Sequence, residues 1–259
     1  MTQNIDLKSL QNELLAMMKD IDAICREQGV EYSLTGGSLL GAIRESGFIP
    51  WDDDMDIMVD RRNYARLCAA IRGCDKSEMG RGPWLQHIKP VSFDSDIDPY
   101  IDVFIMDNLP DDRLRAALKI LLLRLLQGML KEQVEYKGFS GFYKTCIFIT
   151  HAIGKLFTRR FKLRLYDSVS QIGDSSPSSY ISITNDGFNL LTKKHRAELM
   201  KEYEDHRFED TELRVTKLAD SYLTVRYGSD YMTPPEESER IPAQHRYRPK
   251  VKDERLEIG

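Results

Sequence analysis

Residues 32–60 read YSLTGGSLLGAIRESGFIPWDDDMDIMVD, and the fold turns on this stretch. A short apolar run, Tyr32 to Thr35, predicts a strand. Gly36, Gly37 and Ser38 follow, and then Leu39, Leu40 and Ile43 recur at helical spacing up to Gly47. Strand, glycine pair and helix predict a tight turn that aims backbone N–H groups at an anion, as phosphate-binding helix N-termini do. Beyond Phe48-Ile49-Pro50-Trp51, the run Asp52-Asp53-Asp54-Met55-Asp56 leads into Ile57-Met58-Val59. Alternate side chains of a strand share a face, so Asp54 and Asp56 point one way and Met55 and Ile57 the other. Two carboxylates just after a phosphate-cradling turn form half of a divalent-metal site, and hard oxygen ligands suit Mg²⁺ or Mn²⁺. A calcium loop starting at Asp52 is excluded, because it needs Gly where the chain has Ile57 and Glu where it has Asn63.

The order Gly-Gly-Ser, then an Asp-x-Asp strand, resembles the nucleotidyltransferase fold shared with DNA polymerase beta. The longer string GGSLLGAIRESGFIPWDDDMDI resembles the LicD family, which includes phosphocholine transferases and is related to fukutin. Arg44, Gly47, Pro50, Trp51 and the Asp run all sit where that family has them. The resemblance implies transfer of a phospho-alcohol group from a CDP-activated donor to a sugar hydroxyl. The acceptor would be a cell-surface glycan, such as lipopolysaccharide or teichoic acid, or its lipid-linked precursor. It also implies a third carboxylate on a neighbouring strand. Tyr100 to Ile105 reads as a buried strand with one charge, Asp102. A carboxylate there is costly unless paired or metal-bound, and Ile-Asp-Val-Phe is what LicD members show.

The expected site therefore has Asp54, Asp56 and Asp102 as catalytic and metal-holding residues. Gly36, Gly37 and Ser38 would cradle phosphates by backbone amides, with Arg44 as a phosphate clamp. Lys89 shares a strand face with His87 and could meet a phosphate or only solvent. Near the far end, Tyr227-Gly228-Ser229-Asp230-Tyr231-Met232 and Pro234-Pro235 are similar to a LicD ending, with Arg240 and His245 in the places of its basic residue and histidine. The base for the attacking hydroxyl would be Asp102, Asp52 or Asp53. Nucleotidyl transfer onto a protein, RNA or small molecule is the alternative reaction, since the same three carboxylates would serve it.

Composition bounds the rest. The chain has 259 residues, 41% hydrophobic and 30% charged, enough to bury a core and keep a solvated surface. No apolar run reaches the roughly 18 residues needed to span a bilayer, and MTQNIDLKSL lacks a signal-peptide core. Cys25, Cys68, Cys74 and Cys146 show no paired spacing, so reduced thiols in a cytoplasmic setting are expected. No zinc site is legible, unlike in fukutin-related members that carry a zinc-binding insertion. The net charge of −4 hides an asymmetry: residues 113–164 hold twelve Lys or Arg against two Glu, a local +10, leaving −14 elsewhere. That acidic remainder, and basic residues not interleaved with aromatics, argue against nucleic acid. The basic segment either lies on an anionic membrane at its inner face or packs on the catalytic part with its lysines in water.

The expected fold class is α+β, a nucleotidyltransferase-like mixed sheet with flanking helices plus a helical region. The expected division is a catalytic core at 1–112, a basic helical region at 113–173, and a part completing the site at 174–259. Residues 6–28 predict an amphipathic helix with Leu7, Leu10, Leu14, Met17, Ile21, Ile24 and Cys25 buried and Gly29 closing it. Arg61 to Gly73 predicts a helix, Gly73 to Pro83 a loop, and Trp84 to Pro90 a strand. Asn108 to Asp112 predicts a turn, and three helices fill 113–172, the first reaching about Tyr136. A strand at Tyr180 to Thr184, a hairpin about Asp210-Thr211 and a helix at 217–226 complete the reading.

Overall fold

The computed structural model describes residues 7–91, 99–131, 141–174 and 177–240, all but the side chains of Phe142 and Tyr143. The fold is α+β with a mixed sheet, as expected. In chain order come α1 (Leu7–Gln28), β1 (Ser33–Leu34), α2 (Gly36–Glu45), β2 (Met55–Asp60), α3 (Arg61–Arg72), β3 (Ser77–Arg81), β4 (Gln86–Pro90) and β5 (Ile101–Leu109). Then follow α4 (Arg113–Leu130), α5 (Gly141–Gly154), α6 (Arg159–Ser170), β6 (Tyr180–Ile183), β7 (His195–Arg196), β8 (Tyr203–Phe208), β9 (Thr211–Thr216) and α7 (Ala219–Tyr227). The described residues of Met1–Gly82, Gln86–Met106 and Glu198–Gly259 form one compact unit, and those of Pro83–Leu85 and Asp107–Ala197 a second.

In the first unit the strands run in the order β1-β2-β5-β4-β3. Along this path β2 and β5 pair in parallel and the other described pairings are antiparallel. Their register sets Met55 against Ile101, Ile57 against Val103 and Val59 against Ile105, all buried. That side of the pleat is apolar, and the alternate side carries Asp56 and Asp102 followed by buried Met58 and Phe104. α1 buries Leu10, Leu14, Met18, Ile21 and Cys25 and ends at Gly29, whose φ of +62° suits glycine. Its buried stripe is turned slightly from the expected one: Leu15 and Met18 go inside, while Met17 and Ile24 stay half-exposed. α3 is capped by Asp60, whose carboxylate accepts from the Asn63 N–H at 2.6 Å. The hairpin β8–β9 braces β1, where the Thr216 N–H donates to Ser33 Oγ at 2.9 Å.

Two expectations fail here. β3 occupies the stretch read as a loop. Its sequence, SEMGR, pairs only with β4 at the sheet edge and so carries no apolar alternation to betray it. Asn108 belongs to β5 and not to a turn.

The second unit packs α4 on α6 through Leu123, Leu126, Leu130, Leu163, Tyr166 and Val169, joined by Leu191. A buried polar network crosses this core. Gln127 Nε2 donates to Tyr166 Oη (3.0 Å) and the Asp186 carbonyl (2.8 Å), and the Tyr166 hydroxyl donates to the Thr184 carbonyl (2.6 Å). Lys119 is buried, its Nζ donating to the carbonyls of Asn108 (2.6 Å) and Ile172 (3.0 Å), so it does not belong to the solvated basic face. α4 ends at Leu130, short of Tyr136, because Lys131 turns to extended backbone at φ −60°, ψ 125°.

α5 meets α4 where neither helix carries a side chain. A Cβ on Gly154 would lie 2.8 Å from Met129 Cα, and one on Gly128 would run into Thr150 Oγ1. Gly154→Ala should therefore lower stability by about 1–3 kcal/mol, the usual cost of overpacking. Gly141→Ala, with nothing within 4 Å, should leave it unchanged or raise it slightly. Chemical denaturation of both variants checks this pair; equal midpoints would contradict the close helix approach.

Candidate active site

The site is a row across the face of the first unit's sheet that carries Asp56 and Asp102. β2 and β5 run parallel with Asp56 directly opposite Asp102, and β4 sets His87 opposite Asp102 on the other side. Paired residues on neighbouring strands point to the same face, so Asp56, Asp102 and His87 form one line. Asp56 and Asp102 are both buried. Lys89 lies two residues along β4 from His87 and so shares that face, and Asp54 immediately precedes β2. Asp54 is half-buried at the mouth of β2. Lys89 stands opposite Glu78, with Nζ 3.6 Å from its carboxylate.

The glycine turn sits against this row. Thr35 caps α2 in extended backbone, and its N–H donates to the Asp56 carbonyl at 3.1 Å. Gly36, Gly37 and Ser38 are the first turn of α2, so their N–H groups have no intrahelical acceptor. The Leu39 N–H makes the first helical bond, to the Thr35 carbonyl at 3.0 Å. Ser38 does more than offer an amide: its Oγ accepts from the Asp56 N–H at 2.9 Å and fixes the start of β2 to the helix.

Both glycines are required by space. Gly36 has a φ of +57°, and a Cβ there would lie 2.6 Å from Asp56 Oδ2. A Cβ on Gly37 would run into Asp52 Oδ2. Two carboxylates thus lie over the N-terminal turn of α2, where the helix dipole favours negative charge.

Four residues that the sequence did not mark complete the surroundings. Gln11, buried on α1, donates from Nε2 to the carbonyls of Asp52 (2.9 Å) and Ile49 (3.4 Å) and so holds the acidic loop. Thr35 Oγ1 donates to Tyr222 Oη at 2.6 Å, tying α7 to the turn. Arg226, also on α7, has a guanidinium nitrogen 3.9 Å from where a Gly36 Cβ would be. Its guanidinium lies 6.0 Å from the Phe104 ring and 5.8 Å from the Tyr227 ring. Arg226 adjoins the Tyr-Gly ending singled out in the sequence, which was the available signal.

Arg44 and Arg240 make other contacts. Arg44 is in the last turn of α2, about 12 Å along the helix from Gly36 at 1.5 Å per residue. It contacts the Glu45 carboxylate at 2.8 Å and donates to the Tyr231 carbonyl at 3.3 Å. Arg240 lies over the Trp51 ring at 5.3 Å and donates from Nε to the Pro235 carbonyl at 2.9 Å. His245 lies outside the described residues.

Burial and like charge dominate the electrostatics of this row. Burial drives the Asp56 carboxyl well above the usual range, and the charges of Asp54, Asp102 and Asp52 add to this, while Arg226 opposes it. Burial and the neighbouring Asp54 push Asp52 up to about 8. Among the described residues no three His, Cys, Asp or Glu side chains converge closely enough to hold an ion alone. The pair Asp56–Asp102 still fits a hard cation, because Mg²⁺ is commonly held by one or two carboxylates with water and substrate phosphates supplying the rest.

The raised values carry a sign. Folded Asp52 and Asp56 hold protons that the unfolded chain has released above about pH 4. Their cost to stability is absent below that pH and grows as pH rises toward 8. In metal-free buffer Asp56→Asn should melt above the parent, by a margin larger at pH 8 than at pH 5. A margin that is flat or reversed across that range would contradict the like-charge cluster.

Comparison with known proteins agrees with this stretch. The family model described as LicD/FKTN/FKRP, nucleotidyltransferase domain, matches residues 29–83. The chain is 42% identical over 65 residues to the lipopolysaccharide cholinephosphotransferase LicD of Haemophilus influenzae, covering 25% of this chain and 24% of that protein. It is 43% identical over 54 residues to an uncharacterized protein of Rickettsia prowazekii, 21% of this chain and 20% of the other. The chain thus matches about a quarter or less of the length of these relatives. The matched family segment holds β1, the glycine turn, the acidic loop, β2 and α3. Over residues 29–83 the chain is similar to the nucleotidyltransferase domain of the LicD family.

Proposed function

We propose that the chain is a metal-dependent transferase that moves a phospho-alcohol group, such as phosphocholine, from a CDP-activated donor to a sugar hydroxyl. The acceptor would be a cell-surface glycan or its lipid-linked precursor. One observation carries the reading: Asp56 and Asp102 face each other in register, buried, and Asp56 lies beside the first turn of α2 formed by Gly36, Gly37 and Ser38. A pyrophosphate is the ligand that needs both halves. The likeness to a cholinephosphotransferase over this segment supports phosphocholine as the group carried.

Asp56 and Asp102, with Asp54 beside them, would hold Mg²⁺ or Mn²⁺. The cation would neutralise the donor's phosphates and the charge on the departing nucleotide. The first-turn amides of α2 bind phosphate oxygens. Arg226 supplies a fixed positive charge on the same side, partly desolvated against Phe104 and Tyr227. The acceptor oxygen attacks the phosphorus that bears the alcohol, and the bond from that phosphorus to the CMP oxygen breaks. CMP leaves with the bonding pair, and the hydroxyl proton passes to a carboxylate of the row. Asp102 lies on the sheet face for this. Asp52, raised to about 8, has a proton affinity suited to it near neutral pH. Gln11 and Ser38 act through position, holding the loop and the strand that carry the carboxylates.

Turnover of CDP-choline with a sugar acceptor tests the reading. Asp56→Asn and Asp102→Asn should each lose roughly a thousandfold or more in kcat while staying folded. Arg226→Met should weaken donor binding by roughly tenfold to a hundredfold, the worth of a hydrogen bond to a charged group. CMP must appear with the product. Pyrophosphate release from a nucleoside triphosphate would establish nucleotidyl transfer instead, and both Asp variants within tenfold of the parent would overturn the site.

A further inference from the structure

The second unit carries an apolar surface that its own core does not use. α4 buries Leu123, Leu126 and Leu130 in the unit's core. On the opposite side of the same helix, Leu114, Leu118, Leu121 and Leu125 follow at spacings of four, three and four and are 41–81% exposed. At 3.6 residues per turn these four leucines form one stripe, half a turn from the buried side. A globular helix that only packs on its neighbours places polar residues there.

The flanks of the stripe say what covers it. By the same helical geometry, Arg113 and Arg124 lie on one side of the leucines and Arg115 on the other. α5, which packs on α4, repeats the pattern. Phe148, Ile149 and Ile153 are exposed, with exposed Lys144 and Lys155 at one margin. Phe157 and Phe161, both exposed, stack with centroids 5.3 Å apart at the entrance to α6. The only acids in residues 113–164 are Glu132 and Glu135. A second copy of this surface would set cations against cations. A soluble partner would have to be both apolar and acidic. A bilayer with anionic headgroups satisfies both demands at once, taking the leucines among its acyl chains and the arginines and lysines at its phosphates. No helix among the described residues is long and apolar enough to cross a membrane, so contact would be from one side.

We propose that the outward face of α4 and α5 docks the protein onto an anionic membrane surface. This does not rest on the transfer reaction proposed above, and its test does not use turnover. The full chain is sedimented with vesicles of phosphatidylglycerol and phosphatidylcholine, and with phosphatidylcholine alone, at low and high salt. Binding should appear with the anionic vesicles and be at least tenfold weaker with neutral ones. It should weaken further as salt shortens the screening length.

Two variants separate the contributions. Leu118→Gln with Leu121→Gln removes apolar area from exposed positions and should cut binding at least tenfold with unchanged melting. Arg113→Glu with Arg115→Glu should also cut it at least tenfold. These acids in the first turn of α4 complement the helix dipole, so folding is not penalised. Absence of binding to anionic vesicles at low salt overturns the proposal. So does binding that neither variant changes, or a parent dimer that the leucine variant turns into a monomer while vesicles bind nothing.

Discussion

Two buried carboxylates, Asp56 and Asp102, stand opposite each other on parallel strands whose spacing the backbone ladder sets at about 4.8 Å. Neither can move away without breaking the pairing that runs from Met55–Ile101 to Asp60–Met106. Like charges paired across neighbouring strands out of water repel, and the protein relieves the repulsion in three ways. A proton stays on the Asp56 carboxyl, the N-terminal turn of α2 lies beneath Asp56 and Asp52, and the Arg226 guanidinium lies close by. A cation with a bound phosphate would do what all three do together. That preference makes the strained arrangement useful.

The glycines follow from the same constraint. With side chains at 36 or 37 the carboxylates could not approach the helix N-terminus. Asp52 needs its loop held, which Gln11 does from a helix distant in sequence, through the Asp52 and Ile49 carbonyls. Asp56 needs its strand started in place, which Ser38 does by accepting the backbone N–H. The site's precision therefore rests on hydrogen bonds to backbone atoms, which a substitution of the carboxylates would leave intact.

Much of this was legible in the sequence, and the misses have physical causes. Alternation put Asp54 and Asp56 on one face, and the cost of burying a charge marked Asp102, so β2 and β5 were readable from residue pattern alone. β3 was not, because an edge strand paired on one side needs no apolar alternation. Gln11 and Arg226 were hidden because each acts across more than 35 residues of sequence; nothing local distinguishes Gln11 from a surface residue, and Arg226 was signalled only by the Tyr-Gly ending beside it. Arg44 shows the reverse. It lies in the family string, yet the structure turns it to Glu45 and the Tyr231 carbonyl at the far end of α2. Lys119 misled the charge count, since two backbone carbonyls hold it inside the second unit.

The central claim is that Asp56 and Asp102 hold a divalent cation that the donor's phosphates complete. Crystals grown with Mn²⁺ and CDP-choline, measured at the manganese absorption edge, test it directly. The account predicts an anomalous peak between the Asp56 and Asp102 carboxylates, with the donor phosphates reaching the amides of Gly36 to Ser38. A donor bound elsewhere, or bound there with no manganese between those two carboxylates, would contradict it.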